Sequence, residues 1–250
     1  MLDVEAEISK AIAGLDLARL RERYFAQGEF LFLEEFLPAP VLAAWEKELE
    51  KLIPLIHRNY LPRHKKGGSV DYATLSANAP TMRAVYGSQA LLKFCRDLAG
   101  AEMDLCPPTD PHSCALYAYT EKGDHIGFHY DTSYYRGRRF TLLIGLRDRS
   151  GSKLEAHLHT REPERGVKKL EVATTPGSLV FFDGDKLYHR VTPLGEGEER
   201  FIITMQYVTR SDMNPFLRFV SNMKDSIAYF GFQKVFGPKA PVAADSEKHL

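Results

Sequence analysis

A chain of 250 residues is long enough to bury a sizeable core within one domain. Its composition, 44% hydrophobic and 26% charged, is ordinary for a soluble fold. With 33 basic and 33 acidic residues the net charge is zero. That balance argues against nucleic acid or an anionic membrane as the main partner, because such surfaces attract excess positive charge. No apolar run approaches the roughly 18–20 residues of a membrane helix, and the charged N-terminus lacks a signal core. Cys95, Cys106 and Cys114 follow neither a paired nor a zinc-binding spacing. The expectation is a cytoplasmic protein with three reduced, buried thiols.

From the N-terminus, Ile8, Ile12, Leu15 and Leu20 recur at helical spacing and predict a helix over Val4–Tyr24. Glu29–Phe36 reads as a short strand. Pro40 opens a helix over Val41–Ile53, at a first-turn position that tolerates proline. Lys65–Asn78 is polar and contains glycine, which predicts a covering loop, and a further helix, Ser88–Leu98, ends at Gly100. After Pro111 the pattern turns to β. Cys114–Tyr119, Arg139–Leu146, Lys169–Thr174, Ser178–Phe182 and Phe201–Thr209 are short runs rich in β-formers, separated by glycine turns. This spacing predicts a sandwich or barrel. Residues 1–250 thus read as one domain: helical support and a leading strand over 1–110, a β core over 111–210, and a C-terminal helix (Phe216–Phe230) with a tail over 211–250.

Of nine histidines, His57, His64 and His249 lie in polar or terminal surroundings and read as solvated. His129-Tyr130-Asp131 differs. In an extended chain, residues two apart point to one side, so His129 and Asp131 can offer a nitrogen and an oxygen to one metal ion. Fifty-seven residues lie between Asp131 and His189, which falls between two strands, a separation that lets the chain fold back to the same site. Two histidines and a carboxylate on one face leave coordination positions open, which suits non-haem Fe(II). On the last strand, Phe201, Ile203, Met205 and Tyr207 form an apolar face. Arg200, Ile202, Thr204 and Gln206 form the other, and an arginine heading an interior face calls for an anion. His125 stands four residues before His129, but the glycines around it argue against a helical metal pair. His157 and His159 lack a carboxylate to complete a set. Lys65-Lys66, Arg136-Gly137-Arg138-Arg139 and Lys168-Lys169 read as solvated charge.

In order, Tyr119, His129-Tyr130-Asp131, Arg139-Phe140-Thr141-Leu142-Leu143, Thr175-Pro176-Gly177-Ser178, His189-Arg190-Val191-Thr192-Pro193 and Gly197-Glu198-Glu199-Arg200 resemble the motifs of the Fe(II)/2-oxoglutarate-dependent oxygenases. The resemblance is to the branch similar to prolyl 4-hydroxylases and covers roughly Gly28–Thr209. It implies a mainly β fold, a double-stranded β-helix (jelly roll, cupin-like) core with supporting helices. It further implies that His129, Asp131 and His189 ligate Fe(II), that Arg200 pairs with the distal carboxylate of 2-oxoglutarate, and that Tyr119 and Thr141 help to hold this cosubstrate. The family reaction consumes O2 and 2-oxoglutarate and yields succinate, CO2 and an oxidised C–H bond. Halogenating relatives replace the carboxylate ligand with a small residue, so by the resemblance Asp131 implies hydroxylation or a related oxidation. The stretch Asp131–Thr141 looks most like a subgroup that halogenates or hydroxylates free amino acids. The chain departs from many relatives at Ser152-Lys153-Leu154-Glu155-Ala156, where they carry a Gly-Gly-Glu type turn.

The expected substrate is a small molecule, a free amino acid among the candidates, with Glu121, Asp124, Tyr134, Tyr135 and Gln206 around it and no nucleic-acid or membrane partner. A buried Glu121 or Asp124 would suit a substrate amine. Peptide side-chain hydroxylation, a non-catalytic metal-binding module and repair of alkylated nucleic acid are the alternatives on the same scaffold.

Overall fold

A computed structural model of the protein describes residues 2–131 and 135–212. The first predicted helix is two. Helix α1 (Val4–Ala13) is capped by Asp3, whose carboxylate accepts the Ala6 N–H at 3.0 Å, and it stops at Gly14. Asp16 caps α2 (Leu17–Ala26) in the same way, accepting from Arg19 N–H at 3.1 Å. Strand β1 (Phe30–Leu33) follows, then α3 (Ala39–Leu52), with Pro40 in its first turn. Lys65–Asn78, expected as a loop, is instead ordered structure. It forms strand β3 (Lys65–Val70), paired with a preceding β2 (His57–Leu61), and helix α4 (Tyr72–Asn78). Helix α5 (Pro80–Tyr86) has no local side-chain cap; Glu48 of α3 supplies one, accepting the N–H groups of Thr81 at 2.7 Å and Met82 at 3.0 Å. Helix α6 (Gln89–Ala99) runs from a Ser88 cap to a left-handed Gly100.

The β core comprises β4 (Asp104–Leu105), β5 (Cys114–Tyr119), β6 (His125–His129), β7 (Arg139–Arg149), β8 (Leu154–Leu158), β9 (Lys168–Val172), β10 (Leu179–Asp183), β11 (Tyr188–Val191) and β12 (Glu199–Val208). The strands pair in the order β1-β10-β7-β12-β5-β3-β6-β11-β8-β9, every pair antiparallel, with β4 added to β12. Strand β3 hands the chain from one wall to the other: Gly68–Val70 pair with β5, and Lys65-Lys66 pair with β6. The result is a double-stranded β-helix. The helix predicted over Phe216–Phe230 lies outside the described residues.

Alternation along the strands separates two cores. Leu142, Ile144, Phe181, Ile203, Met205 and Tyr207 face outward into one continuous apolar cluster with Trp45, Leu49 and Leu91 of the helices. Between the two walls, Phe30, Val180 and Phe182 pack against Leu154, Ala156 and Leu158. The helices therefore stiffen one wall from behind and leave its inner face to line the barrel. Cys95, Cys106 and Cys114 are buried free thiols, raised above the usual thiol range by burial. Among the described residues no helix is long and apolar enough to cross a membrane.

The turn that leads into β6 is held by an ion pair onto a buried carboxylate. Arg58 of β2 forks onto Asp124 at 2.7 and 2.8 Å, and the same carboxylate accepts the N–H groups of Thr120 and Glu121. Burial opposes ionisation of Asp124, but Arg58 and the two N–H groups outweigh it and lower its pKa. Asp124→Ala strands these donors and is expected to cost about 2–3 kcal/mol in denaturant unfolding at pH 7. Because the folded pKa is depressed, this stabilisation is complete above the unfolded value of about 4 and is lost as pH falls below it. The unfolding curves of wild type and variant should therefore converge in acid.

Candidate metal centre and cosubstrate pocket

Strands β6 and β11 pair antiparallel with His129 opposite His189, and the ring centroids stand 4.3 Å apart. Each imidazole is pinned from behind. Nδ1 of His129 lies 2.8 Å from the Gly127 carbonyl, and Nδ1 of His189 lies 3.1 Å from that of Leu187. A carbonyl only accepts, so each Nδ1 carries the proton and each Nε2 presents a lone pair. Asp131, just past the end of β6, brings Oδ1 to 3.3 Å from His129 Nε2. Ligand atoms of His129, Asp131 and His189 all lie within 4.8 Å of one another, which makes them a set that can hold one metal ion. No other such set occurs among the described residues.

The electrostatics suit a cation. Burial, and then the neighbouring His129, pull His189 down to about 4, so it is neutral near pH 7. Burial pushes Asp131 the other way, but His129, His189 and Arg139 together hold it well below the usual carboxylate range. The far oxygen of Asp131 accepts from the Thr141 hydroxyl at 2.8 Å, and that hydroxyl also lies 3.1 Å from Gln206 Oε1. Thr141 therefore meets the carboxylate of the set directly, a contact its expected role at the cosubstrate did not include. Gly184 completes the support: a Cβ there would stand 2.6 Å from the Asp131 carbonyl oxygen and 3.0 Å from its Cβ. Only glycine lets the Asp183-Gly184-Asp185 turn approach so closely.

Arg200 heads the inner face of β12, opposite Tyr119, and is 1% exposed. Nε and Nη2 donate to Thr174 Oγ1 at 3.0 and 2.6 Å, and Nη1 donates to Ser152 Oγ at 3.3 Å. The nearest carboxylate, Asp148, is 4.0 Å from Nε. Burial lowers the Arg200 pKa, and Tyr119 and Asp148 offset this only in part. A guanidinium has five N–H donors; this one is buried among neutral hydroxyls with donors to spare, which fits the carboxylate of a diacid. Tyr119 lies beneath it, its ring centroid 5.7 Å from Arg200 Cζ, and burial raises its phenol so that it remains a proton donor. Ser152 and Thr174 carried no sequence signal for this role, since isolated hydroxyls at strand ends are common.

The expected substrate residues divide. Asp124 is consumed by Arg58 and the turn, and Glu121 is an exposed side chain 2.9 Å from Arg58 and 3.4 Å from Lys66. Both carboxylates are thus already engaged in ion pairs within the protein. Tyr134 lies outside the described residues. Tyr135 is buried and donates to Asp110 Oδ2 at 2.8 Å. Gln206 is at the site, its Oε1 accepting from Arg139 Nε at 2.8 Å. His64, expected to be solvated, stands edge-on to His129 with centroids 5.9 Å apart. His125 is held by the Gly123 carbonyl, and His157 packs on Phe128 and Tyr188. Arg138 is not solvated charge either: it bonds Asp183 at 2.6 Å and also meets Glu29.

Residues 114–207, the β core that carries this arrangement, match the family model of the 2OG-Fe(II) oxygenase superfamily. The match spans the β core and under half of the chain; with the His-Asp-His set it marks the protein as a 2-oxoglutarate-dependent non-haem iron enzyme, with Fe(II), 2-oxoglutarate and O2 as cofactor and cosubstrates. No curated protein matches the chain. Among solved structures, the non-heme alpha ketoglutarate dependent epimerase SnoN from nogalamycin biosynthesis is 17% identical with a TM-score of 0.66, covering 81% of this chain and 86% of its own. A prolyl-4-hydroxylase from Pseudomonas putida is 20% identical with a TM-score of 0.56, covering 78% of this chain and 98% of its own. A prolyl hydroxylase from Trichoplax adhaerens, solved with a hypoxia inducible factor peptide fragment, is 15% identical with a TM-score of 0.61, covering 82% of this chain and 92% of its own. These likenesses are of fold.

Thr141→Val removes the hydroxyl that orients Asp131 while keeping its volume. The expected outcome is an about 10–100-fold weaker affinity for Mn(II), measured by calorimetry on the metal-free protein, with the thermal melt little changed. Gly184→Ala should weaken the same affinity by forcing Asp131 to shift.

Proposed function

We propose that His129, Asp131 and His189 hold Fe(II), that Arg200 with Tyr119 holds the distal carboxylate of 2-oxoglutarate, and that the enzyme hydroxylates an unactivated C–H bond of a small molecule. The observation that carries this is the convergence of two Nδ1-pinned imidazoles and one ionised carboxylate on a point in the same barrel as a buried arginine. When bound, the iron supplies the oxidising chemistry, drawing electrons from the decarboxylation of the 2-oxo acid.

The chain's own residues set the conditions. The Gly127 and Leu187 carbonyls each take an Nδ1–H, so Nε2 is the nitrogen each ring leaves to a metal. Thr141 keeps Asp131 turned to one side, leaving the remaining directions around the ion for cosubstrate and O2. Thr174 and Ser152 hold the Arg200 fork rigid before the diacid arrives, so little order is lost on binding. Asp131 as a ligand leaves no vacancy of the kind a halide would need, which favours hydroxylation. The side-chain hydroxylation of a peptide is the second reading; the Trichoplax adhaerens enzyme, solved with its peptide fragment, supports keeping it.

Adding Fe(II) and then 2-oxoglutarate to the metal-free protein under anaerobic conditions should give the weak visible charge-transfer band of a chelated 2-oxo acid. The band should vanish in His129→Ala. A folded wild-type protein without the band would remove the assignment. Arg200→Ala should raise the KM for 2-oxoglutarate by about 100-fold or more, as expected when a buried charge pair loses one member, while Mn(II) affinity stays within about threefold. An unchanged KM would take Arg200 out of the pocket.

A further inference from the structure

Strand β7 begins with Arg139, two residues before Thr141 and on the same inner face. The other two arginines of this run are ion-paired: Arg136 lies 3.5 Å from Asp212, and Arg138 bonds Asp183. Arg139 is not. Its Nε donates to Gln206 Oε1 at 2.8 Å, and among the described residues neither terminal nitrogen has a hydrogen-bond or ion-pair partner. The anchor at Nε also places it. Gln206 Oε1 is 3.1 Å from the Thr141 hydroxyl, which lies 2.8 Å from Asp131, so the guanidinium is two side chains removed from the candidate metal ligand. It stays partly exposed although Asp110, Tyr135 and Asp131 surround it, as expected of a side chain lining an opening rather than filling a core.

Arg139 cannot share the carboxylate that Arg200 receives. It pairs with Val208, whereas Arg200 heads the same strand eight residues earlier, so the two guanidiniums belong to opposite ends of the inner face of β12. The nearby acid does not take the place of a ligand. Both oxygens of Asp110 are engaged, one by the Tyr135 hydroxyl at 2.8 Å and the other by the His112 N–H at 2.8 Å. Asp110 and Asp131 still decide which anion fits. Burial works against the charge on Arg139, and the two acids, Asp110 the stronger, sustain it. The same two acids would repel a dianion such as a phosphate monoester. A planar monoanion that takes two parallel N–H bonds from one edge of the guanidinium is the complementary ligand.

We propose that Arg139, braced by Gln206, binds a carboxylate of the substrate, so that the enzyme oxidises a small carboxylic acid whose C–H bond is presented from the Gln206 side. This deepens the preceding reading of the site and rests on it. Arg139 acts as a binding and specificity-determining residue and takes no part in proton transfer.

The test uses the full chain, loaded with Zn(II) in place of iron and saturated with 2-oxoglutarate so that the Arg200 pocket is filled. With the arginines labelled with 15N, the Arg139 Nε signal is assigned by its loss in Arg139→Gln. Acetate, as the carboxylate probe, should shift that signal saturably, and acetamide, its neutral counterpart, should not. No acetate-dependent shift, or an equal shift with acetamide, overturns the proposal. With iron, succinate release is then compared across pairs of small carboxylic acids and their primary amides. Acids should stimulate it more than amides by about tenfold or more. Arg139→Gln should abolish that preference and Arg139→Lys should restore part of it. Equal stimulation by amides overturns the proposal. The anaerobic charge-transfer band separates the two failures: the band present with no acid preference refutes only the role of Arg139, whereas a missing band refutes the site itself.

Discussion

The antiparallel pairing of β6 with β11 is the constraint on which the site depends. It sets His129 opposite His189, and the register shifts immediately beyond, between His189 and Val191. Backbone hydrogen bonds thus fix the separation of the two imidazoles before any side chain is oriented. Everything else near the centre adjusts to that pair. The β3 strand reaches across to β6 at Lys65-Lys66, and Arg58 on the adjacent β2 fastens the turn leading into it. Asp131 follows at the strand end, where it is free to turn inward and is braced by Thr141 from the opposite wall. A slip of one residue in this pairing would send one imidazole to the outer face, where Phe128 and Tyr188 now stack 5.0 Å apart.

The two faces of β12 were legible in the sequence because its alternation is undisturbed. Phe201, Ile203, Met205 and Tyr207 enter the helix-side core, while Arg200 and Gln206 line the interior. The convergence of His129, Asp131 and His189 was legible because a metal-ligand reading restricts residue type and spacing together. Strand β3 was not, since Lys-Lys-Gly-Gly-Ser-Val has turn composition. It is extended because β2, β5 and β6 all pair with it, a tertiary effect that overrides propensity. Gly67 and Gly68 serve that role by closeness: a Cβ on Gly68 would lie 2.4 Å from the Ile56 side chain. Helix α5 was hidden for a related reason, because its cap comes from Glu48, over 30 residues earlier in the chain. Strand β8 did carry a signal in the alternation of Leu154, Ala156 and Leu158, all buried against β10, but it is short and begins beside a glycine turn.

Reading charge from sequence failed in an instructive way. Arg136-Gly137-Arg138-Arg139 has the composition of a solvated run, yet its members meet three environments. Arg136 pairs at the surface, Arg138 closes a network with Asp183 and Glu29, and Arg139 turns inward to Gln206. The separation follows from the start of β7. Once Arg138 and Arg139 are extended they must point to opposite sides. A net charge of zero likewise says nothing about the interior, where Arg200, Asp131 and Lys65 are enclosed among tyrosines and hydroxyls.

Enclosing such groups is costly unless each has a task or a partner, and the arrangement around the triad shows how the cost is contained. The metal-free centre is close to self-satisfied. Asp131 lies within 3.3 Å of His129 Nε2 and accepts from Thr141, while His189 avoids a buried positive charge by remaining neutral down to about pH 4. A cation entering this centre meets an ionised carboxylate and imidazoles whose Nε2 atoms already converge, so it need not reorganise the walls. The rigid β6–β11 pairing and the pinned Nδ1 atoms thus make the fold itself the source of the site's preorganisation, and stability and chemistry depend on the same few backbone carbonyls.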